Sequence, residues 1–261
     1  AMAITAESIR FGYRGAEVIR GVSFTVPEGA ITCLLGRNGS GKTTLIRLVN
    51  GILRPHSGSI RIDGLDVQRS PRPAIARRVA FVPQEHQGVF PYGVEELVVI
   101  GRNPHLSLIA RPGRSDRAAA RAAMEAVGIA HLAGRDYMQI SGGERQLVLI
   151  ARALTQETPY LLMDEPTSHL DFTNQHAILS IVRRIARERG VGVLVAMHDP
   201  NLTLAFADRV IMLREGQVFR AGSANEVMTP ENLQALYQMP IDVVGLPDGR
   251  RFIVTEAQGA R

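Results

Sequence analysis

Eight consecutive residues, Gly36-Arg37-Asn38-Gly39-Ser40-Gly41-Lys42-Thr43, set narrow limits on the architecture of this chain. They match the spacing G-x-x-x-x-G-K-[ST]. Before them runs Ile31-Thr32-Cys33-Leu34-Leu35, a short apolar stretch of the kind that forms a strand buried on both faces. After them, Lys42 to Asn50 reads as a helix. Glycines let such a loop curl until successive backbone N–H groups point inward and form an anion nest. The helix that follows adds its unpaired N–H groups and the positive end of its dipole. Lys42 is placed to reach β- and γ-phosphates, and the Thr43 hydroxyl to ligate Mg²⁺. Among 30 Lys+Arg residues, Lys42 is the only lysine. An arginine-rich chain thus keeps a compact ammonium at the one place where a planar fork would not serve.

The surrounding pattern fits an α/β fold. Ile4 to Ile9, Val18 to Val26 and Ser59 to Ile62 alternate in the manner of strands, bounded by Gly and Pro. Tyr160 to Met163 and Val191 to Met197 are further continuous apolar runs. Between them, Ser115 to Val127, Gly143 to Leu154 and Asn174 to Arg189 carry helical periodicity. The expectation is a P-loop NTPase core with a mostly parallel sheet and an N-terminal antiparallel β subdomain. From about residue 86 to 158 the chain shows helical periodicity, breaks at Pro91, Gly93, Pro104, Pro112 and Gly113, and no clear strand, which reads as an inserted helical subdomain. Residues 1–240 then form one domain and 241–261 a short extension, in which Ile241 to Val244 and Phe252 to Val254 are expected to pair as a hairpin.

Two further motifs carry chemistry. Tyr160-Leu161-Leu162-Met163-Asp164-Glu165 delivers two carboxylates at the end of an apolar strand, the edge where ligands bind in open α/β sheets. Asp164 is suited to hold Mg²⁺ through water, and Glu165 to polarise a water near the γ-phosphate. Ile140-Ser141-Gly142-Gly143-Glu144-Arg145-Gln146 precedes an apolar-periodic helix and leaves a hydroxyl and free N–H groups at its start, a second anion site far along the chain from the first.

Together these motifs resemble the ABC (ATP-binding cassette) ATPase family, whose signature usually reads L-S-G-G-Q; here Ile140 and Glu144 replace its ends. The resemblance spans roughly residues 3 to 240. It implies that Gly36, Arg37, Asn38, Gly39, Ser40, Gly41, Lys42, Thr43 and Thr44 bind ATP, with Tyr13 stacked on adenine. It implies that Ser141, Gly142, Gly143 and Glu144 cap the ATP held by a second copy, so that two chains sandwich two ATPs. Phe81-Val82-Pro83-Gln84 resembles the family's glutamine loop, with Gln84 near Mg²⁺ and water beside the metal groups of Thr43 and Asp164. Glu165 is then the catalytic carboxylate, His198 the switch histidine, and Asp171 the acid of a loop at the dimer interface.

Composition bounds the partners. Hydrophobic residues make up 45% of 261, enough for a sizeable core. No apolar run reaches the roughly 18 residues that a membrane span needs. No basic stretch followed by an apolar core opens the sequence, so no secretory leader is expected. The single cysteine, Cys33, rules out an internal disulfide. The net charge of +5 is scattered, which speaks for solvated faces and against nucleic acid. Pro91 to Arg102, Glu144 to Leu147 and His198-Asp199-Pro200-Asn201-Leu202 resemble one importer branch, that of iron chelates, haem and cobalamin, which includes molybdate importers. The implied assembly is a homodimer at the cytoplasmic face of the inner membrane, joined to integral membrane permease subunits and served by a substrate-binding protein. The segment from Gln84 to Arg102 would form the groove for a cytoplasmic helix of the permease, with Val98-Val99-Ile100 either exposed there or part of a helix core. A soluble ABC ATPase of ribosomes or DNA, and an unrelated P-loop kinase or GTPase, are the alternatives from other classes; the first usually carries tandem cassettes or a coiled coil, and the second lacks Ile140 to Gln146.

Overall fold

A computed structural model describes residues 2–84, 92–107 and 110–255. The chain opens with two long strands, β1 (Ala3–Tyr13) and β2 (Ala16–Pro27), which pair antiparallel. Next come β3 (Ile31–Leu35), helix α1 (Lys42–Val49), strands β4 (Ser57–Ile62) and β5 (Leu65–Asp66), helix α2 (Arg72–Ala76) and strand β6 (Val79–Val82). Three helices follow, α3 (Val94–Val99), α4 (Arg114–Ala126) and α5 (Gly142–Thr155). The core then resumes with β7 (Tyr160–Asp164), α6 (Phe172–Arg189), β8 (Gly192–Met197), α7 (Pro200–Phe206), β9 (Arg209–Arg214) and β10 (Gln217–Ser223). Helices α8 (Ala224–Val227) and α9 (Pro230–Tyr237) and the strands β11 (Ile241–Gly245) and β12 (Arg251–Thr255) complete it.

Two sheets face each other across α1. One is antiparallel, in the order β2-β1-β4-β5. The other has the order β10-β9-β3-β8-β7-β6; its strands are parallel except β10, which runs antiparallel to β9. Each strand of this sheet divides its side chains between two apolar layers, because successive residues point to opposite faces. Leu34, Leu162 and Leu194 join α1 and the antiparallel sheet, whereas Cys33, Leu161 and Val193 join α5, α6 and the other helices. This double burial is why β3, β7 and β8 are largely apolar along their length. Each fully buried aliphatic side chain contributes about 1.5–3 kcal/mol.

Within residues 92–107 and 110–158 the regular elements are helices joined by turns, with one isolated bridge between Gly93 and Asp136. Pro91 lies outside the described residues. Val98 and Val99 are buried in this layer, and only Ile100 of the three is exposed. Of the two readings of this segment, the helix core therefore holds for Val98 and Val99, which α3 turns inward, and exposure holds for Ile100. The expected C-terminal hairpin forms as β11–β12, with Val243 opposite Ile253. Among the described residues, no helix is long and apolar enough to cross a membrane.

Candidate active site

Parallel strands end on the same edge, so residues far apart in sequence meet there. β3 leads into Gly36–Gly41, β6 into Gln84, β7 ends at Asp164 beside Glu165, and β8 leads into His198. A cleft of about 480 Å³ at this edge is lined by Val18, by the loop from Asn38 to Thr44, by Gln84 and by Glu165. A depression of about 410 Å³ at the opposite edge, near Glu28 and Arg189, holds none of these groups.

The turn into α1 depends on Gly41, whose φ of 104° lies in the left-handed region and whose added Cβ would fall 2.6 Å from Ile19 Cδ1. The backbone can therefore curl over the Lys42 side chain. Lys42 Nζ donates to the Gly36 carbonyl at 2.8 Å and lies 3.8 Å from Glu165 Oε1. Burial lowers the Lys42 pKa, and Glu165 foremost works against that shift. The Thr43 hydroxyl donates to Asp164 Oδ1 at 3.0 Å. Burial raises the Asp164 carboxyl, and the Thr43 hydrogen bond opposes it.

Glu165 is the hub. Gln84 Nε2 donates to its Oε2 at 3.2 Å, and His198 Nδ1 stands 3.7 Å from the same oxygen. Its backbone adopts φ 46°, left-handed and not glycine. That conformation costs roughly 1–2 kcal/mol. The turn swings the carboxylate out of the strand direction and is held by the Glu165 N–H to Ala196 and by the Ser168 hydroxyl, which donates to the Glu165 carbonyl.

The pair Thr43–Asp164 presents hard oxygen donors of the kind Mg²⁺ takes. Among the described residues no group of three or more His, Cys, Asp or Glu could hold a metal on its own. The donor set thus fits a cation that brings phosphate and water ligands with it.

The signature residues do not line this cleft. Ser141 and Gly142 are exposed, at the start of α5. Ser141 Oγ accepts from Glu144 N–H, and the Glu144 carboxylate accepts from Ser141 N–H at 2.7 Å, a reciprocal capping box. These hydrogen bonds hold the Glu144 carboxyl below its ordinary range. Gly143 is buried, and a Cβ there would meet the Asn174 side chain at 2.9 Å. Asn174 is in turn held by Asp171, whose Oδ1 caps α6 by accepting from the Asn174 N–H and whose Oδ2 accepts from the Asn174 side-chain amide, each at 2.8 Å. Asp171 and the signature are thereby neighbours on one surface.

Three of the expected nucleotide contacts, Tyr13, Gly36 and Arg37, do not line the cleft. Tyr13 is exposed at the end of β1, edge-on to Phe11 at 4.9 Å, and is not among the cleft-lining residues. Val18, which sequence reasoning did not single out, takes a place in the cleft because β2 runs beside Gly41. A strand position carries no chemical mark in sequence, so nothing there could have flagged it. Arg37 points away, and its guanidinium donates to Gln238 Oε1 at 3.0 Å.

A glycine-rich loop over a buried lysine, a strand-end carboxylate pair and a strand order typical of doubly wound sheets define a P-loop nucleotide-binding protein. A family model described as ABC transporter matches residues 19–168. The chain is 38% identical to the hemin import ATP-binding protein HmuV of Burkholderia lata, over 97% of this chain and 100% of that one. It is 36% identical to the iron(3+)-hydroxamate import ATP-binding protein FhuC of Bacillus subtilis, over 94% and 91%. A solved structure described as an inward-facing conformation of a metal-chelate type ABC transporter matches with TM-score 0.87 and 32% identity, covering 99% of both chains. The chain belongs to the ABC transporter family as an ATP-binding domain. Domains of this family hydrolyse ATP to drive transport.

Proposed function

We propose that this chain is the ATPase subunit of an importer for a metal chelate of the iron-siderophore, haem or cobalamin type. The likeness to hemin and iron-hydroxamate import subunits and to a metal-chelate transporter supports that cargo class. In this reading residues 1–240 form the cassette, with its helical insert at about 86–158. Two copies pair head to tail at the cytoplasmic face of the inner membrane, joined to permease subunits that receive cargo from a substrate-binding protein. The convergence of Lys42, Gln84, Asp164, Glu165 and His198 on one sheet edge carries the proposal.

The residues divide the work. The loop N–H groups and Lys42 bind the triphosphate, with Lys42 neutralising charge that builds on the γ-phosphate. Glu165 accepts a proton from the attacking water while the bond from the γ-phosphorus to ADP breaks. Gln84 donates to the Glu165 carboxylate, and His198 stands beside the same oxygen. Thr43, Asp164 and Gln84 would hold Mg²⁺, which supplies charge neutralisation to the phosphates when bound. Ser141 and the N–H groups after it would complete the site of the partner copy.

The test is hydrolysis by the purified chain and by its Glu165→Gln variant. The variant should bind ATP with near-normal affinity in calorimetry, lose at least about 100-fold in turnover, and accumulate as an ATP-bound dimer. Turnover at the wild-type rate would remove Glu165 from the catalytic role. Co-purification with a many-helix permease, followed by chelate uptake in vesicles, tests the transport assignment.

A further inference from the structure

The His198 imidazole is half exposed, so packing around the ring does not by itself fix its direction. The backbone that carries it must do so, and that backbone is gripped by the C-terminal part of the chain. Tyr237, on the last turn of α9, donates its hydroxyl to the His198 carbonyl at 3.3 Å. Three residues on from His198, the Asn201 side chain binds β12 with both ends of its amide. Its Nδ2 donates to the Ile253 carbonyl at 3.0 Å, and its Oδ1 accepts from the Ile253 N–H at 2.8 Å. Between them Asp199 caps α7, accepting from the N–H groups of Asn201 and Leu202. The loop from His198 to Asn201 is thus fixed at each end to chain that follows the six-stranded sheet.

The grip is itself anchored. Leu233 and Leu236 of α9 are buried, and Gln234 Nε2 donates to the Ile241 carbonyl, tying the helix to the hairpin. Burial raises the Tyr237 phenol, so it remains a hydrogen-bond donor at every working pH. The next residue, Gln238, receives the Arg37 guanidinium from the phosphate loop. One helix end therefore touches both loops between which the γ-phosphate would lie.

We infer that Tyr237 and Asn201 are positioning residues, through which the α9–β11–β12 segment sets the distance from His198 to Glu165. The inference rests on the proposed role of His198 and adds a second layer to it. It gives the C-terminal extension a part in hydrolysis, since displacement of the hairpin would be felt at the His198 backbone.

The experiment is ATP hydrolysis by the full-length chain, comparing wild type with Tyr237→Phe, Asn201→Ala and His198→Ala. Each variant's fold is checked by circular dichroism. Tyr237→Phe removes one oxygen and keeps the ring. It should lower kcat about five-fold while leaving KM for ATP within about two-fold. Asn201→Ala should lower kcat in the same direction. On a His198→Ala background, Tyr237→Phe should cause no further loss, because its effect passes through the imidazole. Full kcat in Tyr237→Phe, or a loss that adds to that of His198→Ala, overturns the inference and leaves the ATPase reading standing. A wild-type chain without ATPase activity overturns the functional reading and this inference with it.

Discussion

Asp164 and Lys42 show what it costs to build a phosphate site. Both are buried, and burial disfavours the charged form of each. The native state holds the Asp164 proton more tightly than the unfolded chain does. Stability is therefore lost as pH rises from the usual carboxylate range through the raised value. Lys42 has the opposite sign in protons bound, and its cost sets in as pH falls from the usual lysine range through the lowered value. At neutral pH both penalties apply. Asp164→Asn keeps an acceptor for Thr43 while removing the buried charge. It should raise the melting midpoint of the nucleotide-free chain by roughly 2–4 °C at neutral pH and abolish turnover. A lower midpoint would mean that the attraction to Arg47 and Lys42 outweighs desolvation.

Among the elements, legibility followed burial. β3, β7 and β8 stood out because both faces are covered, which leaves little but apolar side chains in each run, with Thr32 the polar exception inside β3. β1 and β2 run further than the expected spans because their pairing continues past irregularities at Ile9/Arg10 and Phe11/Gly12, which break the alternation that would mark a strand. β6 and β9 were missed, being short runs with no room for a period, β6 between Arg78 and Pro83 and β9 closed by arginines at both ends. The site motifs were legible because phosphate chemistry demands particular residue types. The contact from Tyr237 to His198 was not, since it joins residues 39 apart and leaves no pattern. Helix α5 carries its own prediction. Its Gly143 abuts Asn174, which Asp171 holds at the start of α6. Gly143→Ala should displace Asn174 and weaken that cap by about 1 kcal/mol, seen as a lower denaturant midpoint. An unchanged midpoint would show that Asn174 moves aside freely.

The two faces proposed to grip phosphate do not meet within one copy. The loop around Lys42 lines the cleft, whereas Ser141 is exposed on α5 outside it. A head-to-tail pair would bring one to the other, and mixing tests it. Lys42→Ala and Ser141→Arg chains should each be inactive alone, yet recover activity together, because a mixed pair contains one complete site. Failure to recover would assign all of the chemistry to a single copy.

Lys42 has one more consequence. With no other lysine in the sequence, amine chemistry has a single side-chain target, and it lies on the floor of the cleft. Reductive methylation with isotopically labelled formaldehyde would place a side-chain reporter at that position alone. Its NMR line would follow nucleotide occupancy without crowding from other lysines.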